Sequence, residues 1–244
     1  LDIAQVVVRD VRMSMGLLAA ALRKYPSKRM HVVGVTGTNG KTTTAHLLAE
    51  ILRVHGWKTE VIGTLTGART TPESTDLQRM LFEYERNGVQ AVVMEVTSHA
   101  LELHRVMGTT FEVAVFTNLS QDHLDFHHTM EKYFAAKAKL FTKQYSLCGV
   151  INRDDVHGQL LLDTISINAM SYGMGDLTQV KMDARHIEYE IDGVNMRARL
   201  GGQFNVMNSL AAVSAARALG VTLQKIANGL NSANAVPGRF ESID

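Results

Sequence analysis

Residues 31–42 narrow what this chain can become more than any other segment: His31-Val32-Val33-Gly34-Val35-Thr36 runs straight into Gly37-Thr38-Asn39-Gly40-Lys41-Thr42. The first six residues form a short β-branched run, which reads as a strand. Beyond the glycines, Ala45, Leu48, Ile51, Leu52 and His55 recur on one face of a helix predicted over 42–55, and Gly56 supplies the stop. A glycine-bearing turn between a strand and a helix start is where a phosphate-binding loop has to lie. Glycines let backbone N–H groups close on phosphate oxygens, and the helix N-terminus adds partial positive charge. In that reading Lys41 neutralises the β- and γ-phosphates of ATP, and the Thr42 hydroxyl ligates Mg²⁺. The general motif asks for glycine five residues before Gly40, where Val35 stands, so this is a variant of it. The competing reading is a surface turn with a chance lysine.

Further strands are predicted over 58–63, 91–96, 114–118 and 149–152, and helices over 76–87 (stopped by Gly88) and 130–143. The runs 91–96 and 114–118 are continuously apolar, as strands covered on both faces are. Alternation of such strands with helices predicts an α/β fold, a doubly wound and mostly parallel sheet with helices on both faces. The texture changes after about residue 160. Residues 165–171 and 183–200 read as edge or antiparallel strands, and Ile187, Tyr189 and Ile191 alternate up to the hairpin turn Asp192-Gly193. Helices over 204–219 and 222–230, separated by Gly220, follow. The expectation is therefore a P-loop sheet with a small antiparallel β appendage. Residues 31–240 are expected to carry this nucleotide-binding fold.

With 45% hydrophobic and 20% charged residues, 244 residues suffice for a full core. A formal net charge of +1 gives no field that would draw nucleic acid or a membrane surface. Cys148 stands alone, so no internal disulfide forms, and a reducing cytoplasm is the expected compartment. The apolar stretch 13–22 has charges on both sides and no small-residue cleavage site; it reads as a short amphipathic helix, too short to span a bilayer. The chain opens on Leu1, which suggests a piece of something longer.

Three places carry candidate chemistry beside the loop. Glu95 ends a buried strand, and in parallel sheets ligands gather at the carboxyl ends of strands, so it is placed to hold Mg²⁺. The run 119–128 follows another strand and packs Asp122, His123, Asp125, His127 and His128 together, which suits a metal or phosphate site; spacing alone does not say which of them bind. Lys137 shares a helical stripe with Met130, Phe134 and Phe141, whereas Lys132, Lys139 and Lys143 fall on the solvated side. A lysine there has to snorkel, pair or be chemically altered.

Taken together the segments resemble the Mur ligases, and within them the members that extend UDP-N-acetylmuramoyl-L-alanyl-D-glutamate (the UDP-MurNAc-dipeptide). The resemblance spans essentially the whole chain. It rests on the loop from Gly34 through Thr43, on Thr70-Thr71-Pro72, and on Met94-Glu95-Val96-Thr97-Ser98-His99-Ala100-Leu101. It continues in Phe116-Thr117-Asn118-Leu119-Ser120-Gln121-Asp122-His123-Leu124-Asp125, Ala135-Ala136-Lys137, Phe204-Asn205-Val206-Met207-Asn208 and Pro237-Gly238-Arg239-Phe240-Glu241. The resemblance implies the middle of a three-domain cytoplasmic enzyme of peptidoglycan synthesis. An amino-terminal domain, ending with its linker helix in residues 1–30, would hold the UDP end of the substrate, and a carboxyl-terminal domain, linked from residues 241–244, would deliver the amino acid. It implies ATP contacts at Gly37, Thr38, Asn39, Gly40, Lys41, Thr42, Thr43, Asn208 and Arg239. It implies two Mg²⁺ ions, with Glu95 a ligand of the first, His123 a ligand of the second and a carbamate at Lys137 as an anionic Mg²⁺ ligand beside Thr42, and it places Lys41, His123 and Lys137 in catalysis. Substrate contacts would fall to Thr70, Thr71, Thr97, Ser98 and Arg105. Thr97 stands where serine is usual, and Leu103 where some members carry a substrate-binding glutamine.

The implied reaction activates a carboxylate as an acyl phosphate and then forms an amide. Folylpolyglutamate synthase (FPGS) or cyanophycin synthetase would share that ATP chemistry on another acceptor, but Thr70-Thr71-Pro72 and the run 97–101 speak against them. A plain nucleotide hydrolase or kinase needs only the loop and Glu95 and leaves Lys137 unexplained. An isolated nucleotide-binding module is the non-enzymatic alternative.

Overall fold

The computed structural model of the protein describes residues 5–233. Its elements in chain order are α1 (Val11–Leu22), β1 (His31–Thr36), α2 (Lys41–His55), β2 (Thr59–Ile62), α3 (Ser74–Arg86), β3 (Ala91–Glu95), α4 (Ser98–Glu102) and β4 (Phe111–Phe116). There follow α5 (Leu124–His127), α6 (Met130–Ala138), β5 (Ser146–Asn152), α7 (Val156–Thr164), β6 (Asn168–Tyr172), β7 (Thr178–Met182), β8 (Ile187–Ile191), β9 (Val194–Ala198), α8 (Gln203–Ala218) and α9 (Leu223–Ser232). Strands β1 to β6 form one parallel sheet in the order β2-β3-β1-β4-β5-β6, and β7-β8-β9 form a second, antiparallel one.

Because side chains alternate across a strand, each sheet strand feeds two cores. Val33, Val35, Val93, Val113, Val115 and Val150 pack with Leu48, Ile51 and Leu52 of α2 and Leu210 and Val213 of α8. Val32, Val92, Met94, Phe116 and Ile151 meet Leu77 and Leu81 of α3 and Tyr133 and Leu140 on the other face. Both faces are therefore covered, as the continuous apolar runs require. The antiparallel sheet joins the first core through Ile187, Tyr189, Ile191 and Met196, and the Tyr189 hydroxyl lies 2.8 Å from Ser209 Oγ on α8. Its turn, Asp192-Gly193, has positive φ at both residues (48° and 78°), the geometry of a two-residue hairpin.

Helix α9 crosses α2 at Gly229, where a Cβ would sit 2.5 Å from the Ile51 Cα. Helix α1 packs on α3 and buries only its small residues Gly16, Ala19 and Ala20. Among the described residues no helix is long and apolar enough to cross a membrane.

The structure departs from the sequence reading in several elements. The helix expected over 130–143 ends at Ala138 and tightens into a 3₁₀ turn at Lys139–Phe141. There Thr142 Oγ1 and Ser146 Oγ donate to the carbonyls of Lys139 and Leu140 (2.8 and 2.6 Å), which lets the chain turn into β5. Strand β4 begins at Phe111 and β5 at Ser146, both earlier than expected; Glu112 breaks the apolar run in β4, and β5 opens on polar Ser146 before its buried stretch from Gly149. Strand β6 does lie at the edge, and it pairs parallel to β5. The short helices α4, α5 and α7 and the exposed strand β7 carry little periodicity and were not expected.

Candidate active site

The strand register sets the geometry. Val35 of β1 pairs with Glu95 of β3, and Thr36 of β1 with Phe116 of β4, so three carboxyl ends finish level beside the loop that follows β1. Val35, which replaces the expected first glycine, is fully buried in β1; the loop proper starts at Gly37. Gly40 takes φ +85° and a Cβ there would meet Asn208 Oδ1 at 2.2 Å, so only glycine serves. As the residue capping α2 it offers no side chain to the first amides, which stay available to an anion.

The loop is backed by the segment after β4. Thr38 N donates to Asn118 O (2.9 Å), and Asn39 N donates to Asn118 Oδ1 (3.0 Å). Thr117 Oγ1 donates to Asn39 O (2.6 Å), and the Thr38 hydroxyl lies 3.2 Å from both Ser120 O and the Tyr133 hydroxyl. Lys41 Nζ folds back on the loop and donates to the carbonyls of Gly37 (3.0 Å) and Thr38 (2.8 Å).

On the acidic side Glu95 is 1% exposed. Its carboxylate accepts from Thr42 Oγ1 (2.9 Å) and from the Thr64 amide (2.8 Å). Thr71 Oγ1 donates to the Glu95 carbonyl (2.9 Å) and accepts from Thr97 N (3.1 Å), while Thr97 Oγ1 caps α4 by accepting from Ala100 N. Thr70 Oγ1 lies 3.1 Å from Thr64 Oγ1.

Lys137 is 1% exposed. Its buried face comprises Tyr133, Ala136 and Leu140, which shifts the stripe expected with Met130 and Phe134; those two are only partly buried. Nζ donates to the Gly37 carbonyl (2.8 Å) and sits 4.7 Å from the centre of the Tyr133 ring. Burial, with a smaller push from the Lys41 charge, holds this amine well below the ordinary lysine value, and Asp122 only partly opposes them. Lys139, expected in solvent, instead pairs with Glu102 at 2.7 Å.

A cavity of about 540 Å³ collects most of the expected residues. It is lined by the loop from Thr38 through Asn39, Gly40, Lys41, Thr42 and Thr43, by Glu95 and His123, and by Thr70, Thr71, Thr97 and Arg105. Gly37, where the loop starts, and Lys137, which donates to its carbonyl, do not line the cavity, and Asn208 abuts the loop at Gly40. Ser98 does not line the cavity: it is 1% exposed and its hydroxyl meets His127 Nε2 at 2.8 Å. Arg239, with the rest of the 237–241 motif, lies outside the described residues.

Of the histidines and acids in 119–128 only His123 reaches the cavity. Its ring meets that of His99 edge-on at 4.9 Å between centres. His127 is buried, and Asp122, Asp125 and His128 are exposed. Burial lowers the pKa of His99 and of His127, and nearby histidine charge lowers both further. The sequence reading missed Thr64, Arg69, His99 and Tyr133. Only Tyr133, one turn before Lys137, carried a signal that helical spacing could have found.

Among the described residues no three His, Cys, Asp or Glu side chains close on a common point. A buried carboxylate touching a threonine hydroxyl at the foot of a phosphate loop is nonetheless a hard oxygen donor set. It fits Mg²⁺, which takes few protein ligands and completes its shell with water and phosphate oxygens.

Comparison with known proteins bears on this arrangement. The family model described as the Mur ligase middle domain matches residues 35–216. The chain is 40% identical over 264 residues to the UDP-N-acetylmuramoyl-L-alanyl-D-glutamate--2,6-diaminopimelate ligase of Geobacter metallireducens, covering 97% of this chain and 51% of that protein. A solved structure of a ligase of the same name superposes with a TM-score of 0.84 at 31% identity, over 96% of this chain and 53% of the other. A complex of FPGS with AMPPCP shares the fold alone, at TM-score 0.69 and 17% identity over 96% of this chain and 70% of the other. The chain thus spans about half the length of the curated relatives it matches.

Proposed function

This chain belongs to the Mur ligase family, and on that premise we propose that it is the nucleotide-binding part of an ATP-dependent ligase that adds an amino acid to UDP-N-acetylmuramoyl-L-alanyl-D-glutamate in peptidoglycan precursor synthesis. The relatives' names point to 2,6-diaminopimelate as the amino acid. Domains before and after residues 31–240 would complete the acceptor and amino-acid sites, with residues 1–30 and 241–244 as the links to them. The reaction belongs in the cytoplasm, where ATP is available.

An acceptor carboxylate oxygen attacks the γ-phosphorus of ATP, the bond to the β-phosphate oxygen breaks, and ADP leaves. The amine of the incoming amino acid then attacks the acyl carbon. Phosphate departs, the nitrogen gives up a proton, and an amide remains. Lys41 stands at the loop to balance the charge on the phosphates, and the uncapped amides of α2 hold them. Thr42, Glu95, His123 and a carbamylated Lys137 would hold two Mg²⁺ ions, Glu95 at the first and His123 at the second, which when bound stabilise charge on the transferred phosphoryl group. Thr70, Thr71, Thr97 and Arg105 would orient the acceptor, and Asn208 and Arg239 the nucleotide.

The observation that carries this reading is Lys137. Burial lowers the pKa of this amine, which favours its neutral, nucleophilic form, and uptake of CO₂ would turn it into an anionic metal ligand. A simple ATPase gives that lysine no task. The test is ¹³C NMR of the full-length protein in ¹³C-bicarbonate, alongside ADP release with and without acceptor. A carbamate signal lost in Lys137→Ala, together with acceptor-dependent ADP release, is expected. ADP release that ignores the acceptor, with no carbamate signal, would sink the proposal.

A further inference from the structure

Glu73, immediately before α3, gathers three arginines. Its Oε1 accepts from Arg69 Nη1 and lies 3.0 Å from Arg105 Nε, and its Oε2 accepts from Arg12 Nη1 at 3.3 Å. The arginines come from separate segments: Arg12 from α1, Arg69 from the loop after β2, and Arg105 from the turn after α4. Three positive charges against one negative leave a net +2 at this point. Arg69 and Arg105 line the cavity that also holds Lys41 and Glu95, whereas Glu73 does not, so its carboxylate stands behind the guanidinium groups. Arg105 is the most enclosed, with its side chain 18% exposed. Its Nε is close to Glu73 yet has no well-aligned hydrogen bond among the described residues. The ion pair holds Arg105 in place without saturating it.

We propose that Glu73 is a positioning residue for acceptor binding: it sets Arg69 and Arg105 side by side as a seat for an acceptor carboxylate. This rests on the ligase reading above. A terminal glutamate carries two carboxylates of which one is activated, and a fork of guanidinium donors suits the other. Arg12 extends the same hub to α1, so the segment that enters the domain helps to brace the seat. Without Glu73 three guanidinium groups would repel one another, and the arrangement, rather than the charge, would be lost. Surface ion pairs of ordinary kind would not behave this way, because breaking them leaves ligand binding alone.

The experiment is calorimetric binding of ADP and of the UDP-linked dipeptide acceptor to the full-length protein, as wild type, Glu73→Gln and Glu73→Asp. A second acceptor has its non-reacting carboxylate converted to an amide. Expected for Glu73→Gln is a loss of about tenfold or more in affinity for the native acceptor, with ADP affinity held within about twofold and Glu73→Asp recovering part of the loss. The amidated acceptor binds wild type weakly and is indifferent to the substitution. Unchanged affinity for the native acceptor overturns the proposal, as does an equal loss for ADP and acceptor, since that is damage to the fold. A loss as large for the amidated acceptor overturns the assignment of the seat to that carboxylate. A wild-type protein that binds ADP and no acceptor overturns the ligase reading itself, and this inference with it.

Discussion

At the scale of single residues, Lys137 makes the sharpest prediction. Its amine binds a proton less tightly in the fold than in the unfolded chain. Between the depressed folded value and the ordinary 10.5 the unfolded state therefore holds more protons, and stability rises with pH. Below that window the desolvation penalty is present in full. Urea midpoints in CO₂-free buffer, from neutral pH to about pH 10, should climb for the wild type and flatten in Lys137→Met; parallel curves would refute the assignment. Lys41→Ala should abolish amide formation in the complete enzyme, and normal turnover in that variant would remove the loop from the mechanism. His127 acts differently, as a buried clasp on Ser98. His127→Ala leaves that hydroxyl unpaired beside a void and should cost about 2–4 kcal/mol in chemical denaturation. A change within about 0.5 kcal/mol would mean the pair is incidental.

At the scale of elements, β1, its loop and α2 were legible because their signals are local: β-branched residues, glycines at a turn, a 3.6-residue stripe and a glycine stop. The β8–β9 hairpin was legible for the same reason. What the sequence hid depends on contacts between distant segments. The loop's backing by Thr117, Asn118 and Tyr133 joins residues some eighty to a hundred positions apart. Thr64 gains meaning only because β2 ends where Glu95 points. Ser98 looked like a substrate contact from its neighbours in the chain, yet α5 brings His127 over it. Helix crossing is equally invisible in sequence. Gly229→Ala should push α9 away from Ile51 and lower stability by about 1–3 kcal/mol, measured by thermal or urea unfolding; an unchanged midpoint would show that the crossing has room to spare.

At the scale of the whole molecule, the antiparallel sheet shares its apolar core with α2, α8 and α9, so nucleotide loop and hairpin are parts of one packed body. That body holds the phosphate loop and the acid. On the proposed reading, residues 1–244 alone should bind ADP in calorimetry yet form no amide, and amide formation by them would contradict that reading's need for further domains. The Gly37 carbonyl has a consequence that reaches across this body. It accepts from Lys41 and from Lys137 at once. A nucleotide that draws Lys41 onto its phosphates removes one donor and one repelling cation from beside Lys137. In the proposed ligase reading, uptake of CO₂ by Lys137 would replace that donating amine with a negative charge. Nucleotide binding and carbamate formation would then be linked by a coupling free energy that acts equally in both directions, so each would change the other's affinity by the same factor.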